Sequence, residues 1–151
     1  MSSRNSIGFW ALEGLGLLLC GFLLVGQTGA LIDYDLTVSL GLQEPAREIT
    51  EIGVVFNKAF GAADTFVYLP LLLIGLVGLW LRRKWGVIAL AAALGITAYW
   101  PIVSLYALYG AIGTPGFSFS NHTLYTAILV PVFVYGLWGL VYLLRGGRSR
   151  H

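Results

Sequence analysis

Two uncharged apolar runs, residues 65–81 and 86–109, flank the tight basic cluster Arg82-Arg83-Lys84. A helix needs about 20 apolar residues at 1.5 Å rise to cross a hydrocarbon core about 30 Å thick, and runs of 17 and 24 residues fall in that range. The pair therefore reads as a transmembrane helical hairpin. Its turn holds three of the nine basic residues, which predicts that the turn stays in the cytoplasm and orients the rest of the chain.

Two further runs complete the pattern. Residues 7–25 are apolar apart from one acid, Glu13, and residues 123–144 lead into the basic tail containing Arg145, Arg148 and Arg150. A secretory signal also has an apolar centre, but a carboxylate inside it argues for a retained first helix. Between the first two runs, Pro45 precedes Ile49, Ile52, Phe56 and Phe60 at three- and four-residue spacing. That spacing predicts an amphipathic helix with proline in its first turn, lying along the outer interface or over the bundle mouth. Gly61-Ala62-Ala63 is expected to end it, and Asp64-Thr65 to cap the second span. The expected fold is all-α: one polytopic domain over residues 1–151, a four-transmembrane-helix bundle with an amphipathic helix in the first outer loop.

Charge supports that arrangement. Only 11% of residues are charged, against about 25% in soluble domains, and the mean hydropathy is +0.82. With four spans, Arg4, Arg82, Arg83, Lys84, Arg145, Arg148 and Arg150 share one side with both termini, without an acid. The other side carries Arg47 and Lys58 among Asp33, Asp35, Glu44, Glu48, Glu51 and Asp64. Both termini are therefore expected to be cytoplasmic, in a plasma membrane or a bacterial inner membrane. Trp10, Trp80, Trp85 and Tyr142 fall near the inner boundary, and Tyr34, Tyr68, Tyr106, Tyr109 and Tyr125 near the outer one, as interfacial belts. Small residues at helical spacing, Ala89 to Ala93 and Ala91 to Gly95, predict close helix approach along the third span.

Few residues suggest chemistry. Glu13 sits about two turns inside the first span, where an acid costs on the order of 2–3 kcal/mol even on an insertion scale. It must face the interior, with Tyr135 or Trp138 at matching depth as donor, and it serves either as a proton or ligand site or as a polar clasp. Asp33 and Asp64 end the loop that joins the first two spans; they read as a site for carboxylate chemistry or as solvated and capping acids. Pro70 and Pro101 predict kinks, and a cavity in the outer half lined by Tyr99, Trp100, Ser104, Tyr106, Tyr125 and Thr126. Cys20 has no partner cysteine, and the two histidines lie too far apart for a metal site, so neither metal nor cofactor is expected.

The order of features resembles the EXPERA domain, the four-helix membrane module of emopamil-binding sterol isomerases and related lipophilic-ligand receptors. The resemblance runs from about residue 7 to residue 144. It rests on a first helix ending at Leu31-Ile32-Asp33, a long loop, the string Asp64-Thr65-Phe66-Val67-Tyr68-Leu69-Pro70, a basic turn with Lys84-Trp85, and prolines 101 and 131 in the last two spans. It implies that Asp33 and Asp64 reach into a lipophilic pocket. Two departures stand out: Asp64 occupies a place where a longer acid is expected, and no histidine lies within the first three spans.

These features predict a small integral membrane protein whose outer half binds a lipophilic ligand or a membrane partner. An EXPERA-like lipid or sterol isomerase using carboxylates is the enzymatic alternative, and a small proton-coupled transporter the third. The expected partners are the bilayer, a lipophilic small molecule, and a membrane protein or a second copy; no nucleic-acid signature is present.

Overall fold

The computed structural model describes residues 6–118 and 121–148, with side chains as far as residue 146. Arg4, Arg150 and His151 lie outside the described residues, as does the side chain of Arg148. The described chain is all-helical and contains four helices long and apolar enough to span a membrane: Ile7–Ile32, Ala46–Trp80, Lys84–Gly110 and His122–Gly146.

The first rod is α1 (Ile7–Phe22), a π-helical turn (Leu23–Thr28) and α2 (Gly29–Ile32) in continuous succession. Ser6 caps it, its hydroxyl accepting from the Phe9 N–H at 3.1 Å, so one of the unpaired first-turn amides is satisfied. The rod outruns the expected 7–25 by seven residues, about two turns. α3 (Tyr34–Ser39) follows, with Asp33 as its N-cap.

α4 (Ala46–Ala63) is the amphipathic helix, but it does not end at Gly61-Ala62-Ala63. Asp64 keeps α-helical angles and caps nothing. The chain passes through a second π-helical turn, Asp64–Tyr68, straight into α5 (Leu69–Trp80). The turn has a local cause: Pro70 offers no N–H and its ring crowds the carbonyl four residues earlier, and an extra residue in the turn relieves both. The unbroken stretch from Glu51 to Trp80 is 30 residues, about 45 Å long at 1.5 Å per residue, far beyond the 30 Å or so of a hydrocarbon core. α4 itself bends at Thr50, whose φ of 66° is unusual for a β-branched residue. The bend leaves the Glu48 carbonyl to accept from the Ser118 N–H at 2.9 Å, tying the loop after α6 onto α4.

α6 (Lys84–Gly110) lies centrally, packed on α5 and on α7 (His122–Arg148), while α1 packs mainly on α5. Leu12, Leu72, Leu90 and Leu94 are fully buried between them. The closest approach joins α5 to α6. A Cβ on Gly75 would stand 2.6 Å from the Leu90 Cα, and one on Gly86 would collide with the backbone of Gly78. Across α6, a Cβ on Gly136 would stand 2.7 Å from the Ala98 nitrogen. Of the small residues expected to form a seam, Ala93 is buried, whereas Gly95 faces open space.

At the end marked by the Leu81–Arg83 turn, Trp10 meets Trp80 edge-on at 5.6 Å and Tyr142 stacks on Trp138 at 5.6 Å. Tyr68, expected in the opposite belt, instead turns into the core and is buried.

Candidate functional site

At the end opposite that turn, a cavity of about 200 Å³ opens between the α3–α4 connection, α4, α6 and α7, with the first π-helical turn behind it. Trp100, Val103, Ser104, Ala107 and Leu108 supply its α6 wall. Their three- and four-residue steps put them on one helical face. Leu124, Tyr125, Ile128 and Leu129 supply the α7 wall on the same logic. Phe22, Leu42 and Phe60 close the apolar part, and Gln27, Gln43, Glu44 and Asn57 gather at one margin.

That polar margin is a knot. The Asn57 amide N–H₂ reaches Gln43 Oε1 at 3.0 Å, Glu44 Oε2 at 3.0 Å and the Tyr34 hydroxyl at 3.2 Å, so its two protons are shared among three acceptors. Tyr34 donates its own proton to the Glu44 carbonyl at 2.9 Å, and Gln43 donates to the Gly26 carbonyl of the π-helical turn at 3.2 Å. Lys58 lies over the Tyr34 ring at 5.4 Å. Burial pushes the Tyr34 phenol above its ordinary pKa; the Asn57 hydrogen bond opposes that shift and the Glu44 charge adds to it. The Glu44 carboxylate also stands beside the Tyr125 hydroxyl.

Gly61 sets how closely α4 approaches. A Cβ there would stand 2.8 Å from the Gln27 carbonyl, so the π-helical turn of the first rod packs directly on α4 backbone. Four residues on, the Thr28 and Thr65 hydroxyls meet at 2.9 Å.

Of the residues expected at a ligand site or along such a cavity, Trp100, Ser104 and Tyr125 line this one, whereas Thr126 meets the Tyr109 hydroxyl at 2.8 Å. Tyr99 and Tyr106 project away from the cavity, 67% and 82% exposed, because they stand two helical turns apart on another face of α6. Asp33 is exposed and accepts from the Leu36 N–H at 2.9 Å. Asp64 does not line the cavity. It is buried in the second π-helical turn, where its Oδ2 has no hydrogen-bond partner. Gln27, Gln43 and Glu44 escaped sequence reasoning as site residues; the signal for them was polar side chains at both ends of the first loop.

Glu13 is likewise buried, with Oε1 unpartnered. The two donors expected for it are placed otherwise. The Tyr135 hydroxyl donates to the Leu12 carbonyl at 2.9 Å, and Trp138 is 37% exposed against Tyr142. Among the described residues, no three His, Cys, Asp or Glu side chains come together as a metal would require. No family model, curated protein or solved structure matches this chain.

Proposed function

We propose that this is a four-helix integral membrane protein with both termini cytoplasmic, and that it binds a lipophilic small molecule in the cavity between α4, α6 and α7, in its outer half. The cavity carries this reading: an apolar chamber with a few convergent polar groups at one margin is the usual form of a small-molecule site. At about 200 Å³ it lies below the 300–1,000 Å³ typical of drug-sized pockets, so a single chain or a small ring system suits it better than a two-chain phospholipid. The membrane part of the reading is supported by the exposed apolar side chains around the bundle, among them Leu18, Phe66, Ile88 and Val134, a coat soluble monomers avoid.

Binding fits better than isomerisation. Carboxylate proton shuttling asks for a pair of acids facing one substrate, and Glu44 is the sole carboxylate among the residues lining the cavity. The test is mass spectrometry of lipophilic species co-purified with the wild type and with Ser104→Phe, which fills the α6 wall. A species carried by the wild type and missing from the variant supports the reading; the same species retained equally by both overturns it.

A further inference from the structure

The polar margin of the cavity carries charge of one sign. Glu44 is the sole charged residue among those lining the cavity, and no lysine, arginine or histidine stands with it. Its side chain is half-buried, and the Asn57 N–H₂ reaches Oε2 at 3.0 Å. That bond leaves the negative charge in place, because an amide brings none of its own. Lys58, next to Asn57 in the chain, is exposed and lies over the Tyr34 ring at 5.4 Å instead. Among the described residues no ion pair neutralises Glu44. A carboxylate closed in beside an apolar chamber is costly unless a counter-charge arrives with the guest.

The surroundings of Glu44 suit a cation with N–H groups. Gln43, 7% exposed, is held on both sides: its Oε1 accepts from Asn57 at 3.0 Å and its Nε2 donates to the Gly26 carbonyl at 3.2 Å. The residue before Glu44 is thus pinned to α4 and to the first rod, and a site set in advance loses less entropy on binding. Gln27 and Ser104 add side-chain oxygens to the lining, which can accept hydrogen bonds from a donor-bearing head. The rings of Phe22, Phe60, Trp100 and Tyr125 also line the chamber, and the face of an aromatic ring attracts a cation, not an anion. Behind them, Val103, Leu108, Ile128 and Leu129 give the guest's body an apolar wall. A phosphate next to the cation would find no basic residue in the lining.

We propose that the cavity takes a protonated primary or secondary amine carried on a single apolar chain or a small ring system, with its ammonium against the Glu44 carboxylate and its apolar body between α6 and α7. This deepens the ligand reading above and rests on it.

The full chain in a nonionic detergent is titrated at pH 7 with dodecylamine, dodecanol and dodecanoate, and bound amphiphile is counted by native mass spectrometry. The amine is protonated there, as a lysine with its pKa of about 10.4 is. The wild type should bind dodecylamine about tenfold more tightly than dodecanol, the worth of a hydrogen bond to a charged group, and dodecanoate least. Glu44→Gln should abolish the preference for the amine, whereas Glu51→Gln, an exposed acid on α4 outside the cavity, should keep it. Circular dichroism reports the folding of each variant, and the wild-type comparison of amine with alcohol stands whatever the variants do. Equal wild-type affinity for amine and alcohol, or a preference for the amine kept by folded Glu44→Gln, overturns the ammonium assignment and leaves the cavity reading intact. Both chains held equally by the wild type and by Ser104→Phe overturn the cavity reading, and this proposal with it.

Discussion

The hydroxyls of Thr28 and Thr65 lie 2.9 Å apart, joining the π-helical turn of the first rod to that of the second. Each rod departs from α-helical geometry where it meets the other. Gly61 lets the backbones close on the same spot, a few residues before the threonine pair. The contact holds the cavity's rear wall against α4, since Gln27 neighbours Thr28 and lines the cavity.

If the threonine pair is a clamp of this kind, its energy is that of an interhelical hydrogen bond in a membrane bundle. Thr28→Ala, Thr65→Ala and the double variant, compared by unfolding in detergent, should show a coupling energy near 0.6 kcal/mol, about the average for such bonds. Strict additivity would place the two hydroxyls apart in solution.

The α5–α6 hairpin leaves no space for a methyl group. Gly86→Ala would set a Cβ against the Gly78 backbone, which cannot move as a flexible side chain can, and should cost about 1–3 kcal/mol. Gly95→Ala, where a Cβ meets nothing within 4 Å, should be neutral or stabilising by up to about 1 kcal/mol. Thermal midpoints of the two variants side by side decide the matter; equal midpoints would contradict the packing.

Tyr34 gives a pH dependence with a definite sign. Its phenol is held above the unfolded value of about 10, so the folded state keeps its proton longer than the unfolded state. The contribution is complete below pH 10 or so and is lost as pH rises through the folded value. Tyr34→Phe should be less stable than wild type at neutral pH, having lost the bonds to Glu44 and Asn57, yet its stability should decline less above pH 10. Parallel declines in an alkaline unfolding series would show that the phenol is not shielded.

Glu13 imposes a stability cost whatever its role. Replacing an unpartnered buried polar group by an apolar one of similar size removes a penalty of about 1–3 kcal/mol. Glu13→Leu should therefore raise the unfolding midpoint in detergent. A lower midpoint would mean that the carboxyl supports the fold.

Sidedness is open to direct labelling, because Cys20 is buried and should contribute little background to maleimide reagents. Cysteines introduced by Arg83→Cys in the hairpin turn and Ser39→Cys in the first loop, both exposed positions, should react from opposite faces of sealed vesicles. Reaction of both from one face would refute the four-crossing arrangement.

Much of the architecture was legible because apolar length and the Arg82-Arg83-Lys84 cluster are local properties. The misreadings were local as well. Gly61-Ala62-Ala63 resembles a helix stop, but Gly61 serves close packing on the Gln27 carbonyl, and the conflict at Pro70 is absorbed by an added residue in the turn rather than by a break. At the cavity, Trp100 was singled out because it stands beside Pro101, and Tyr125 because it lies opposite that proline on the fourth span. Tyr99 and Tyr106 were grouped with them because proximity along a helix does not tell which face turns inward. The knot of Gln43, Glu44 and Asn57 was not foreseen because it forms between a loop and a helix more than ten residues apart.

Four apolar helices, their order and the placing of basic residues follow from the order of side chains alone, since each depends on neighbours within a few turns, whereas the ends of the first two helices did not. Which polar groups meet was decided by the folded bundle. Gly16, Gly61, Gly78 and Gly86 fix how closely, and at what rotation, the helices pack, and that rotation put Tyr135 on the Leu12 carbonyl, Tyr68 against Thr97, and Gln27 on the wall of the cavity.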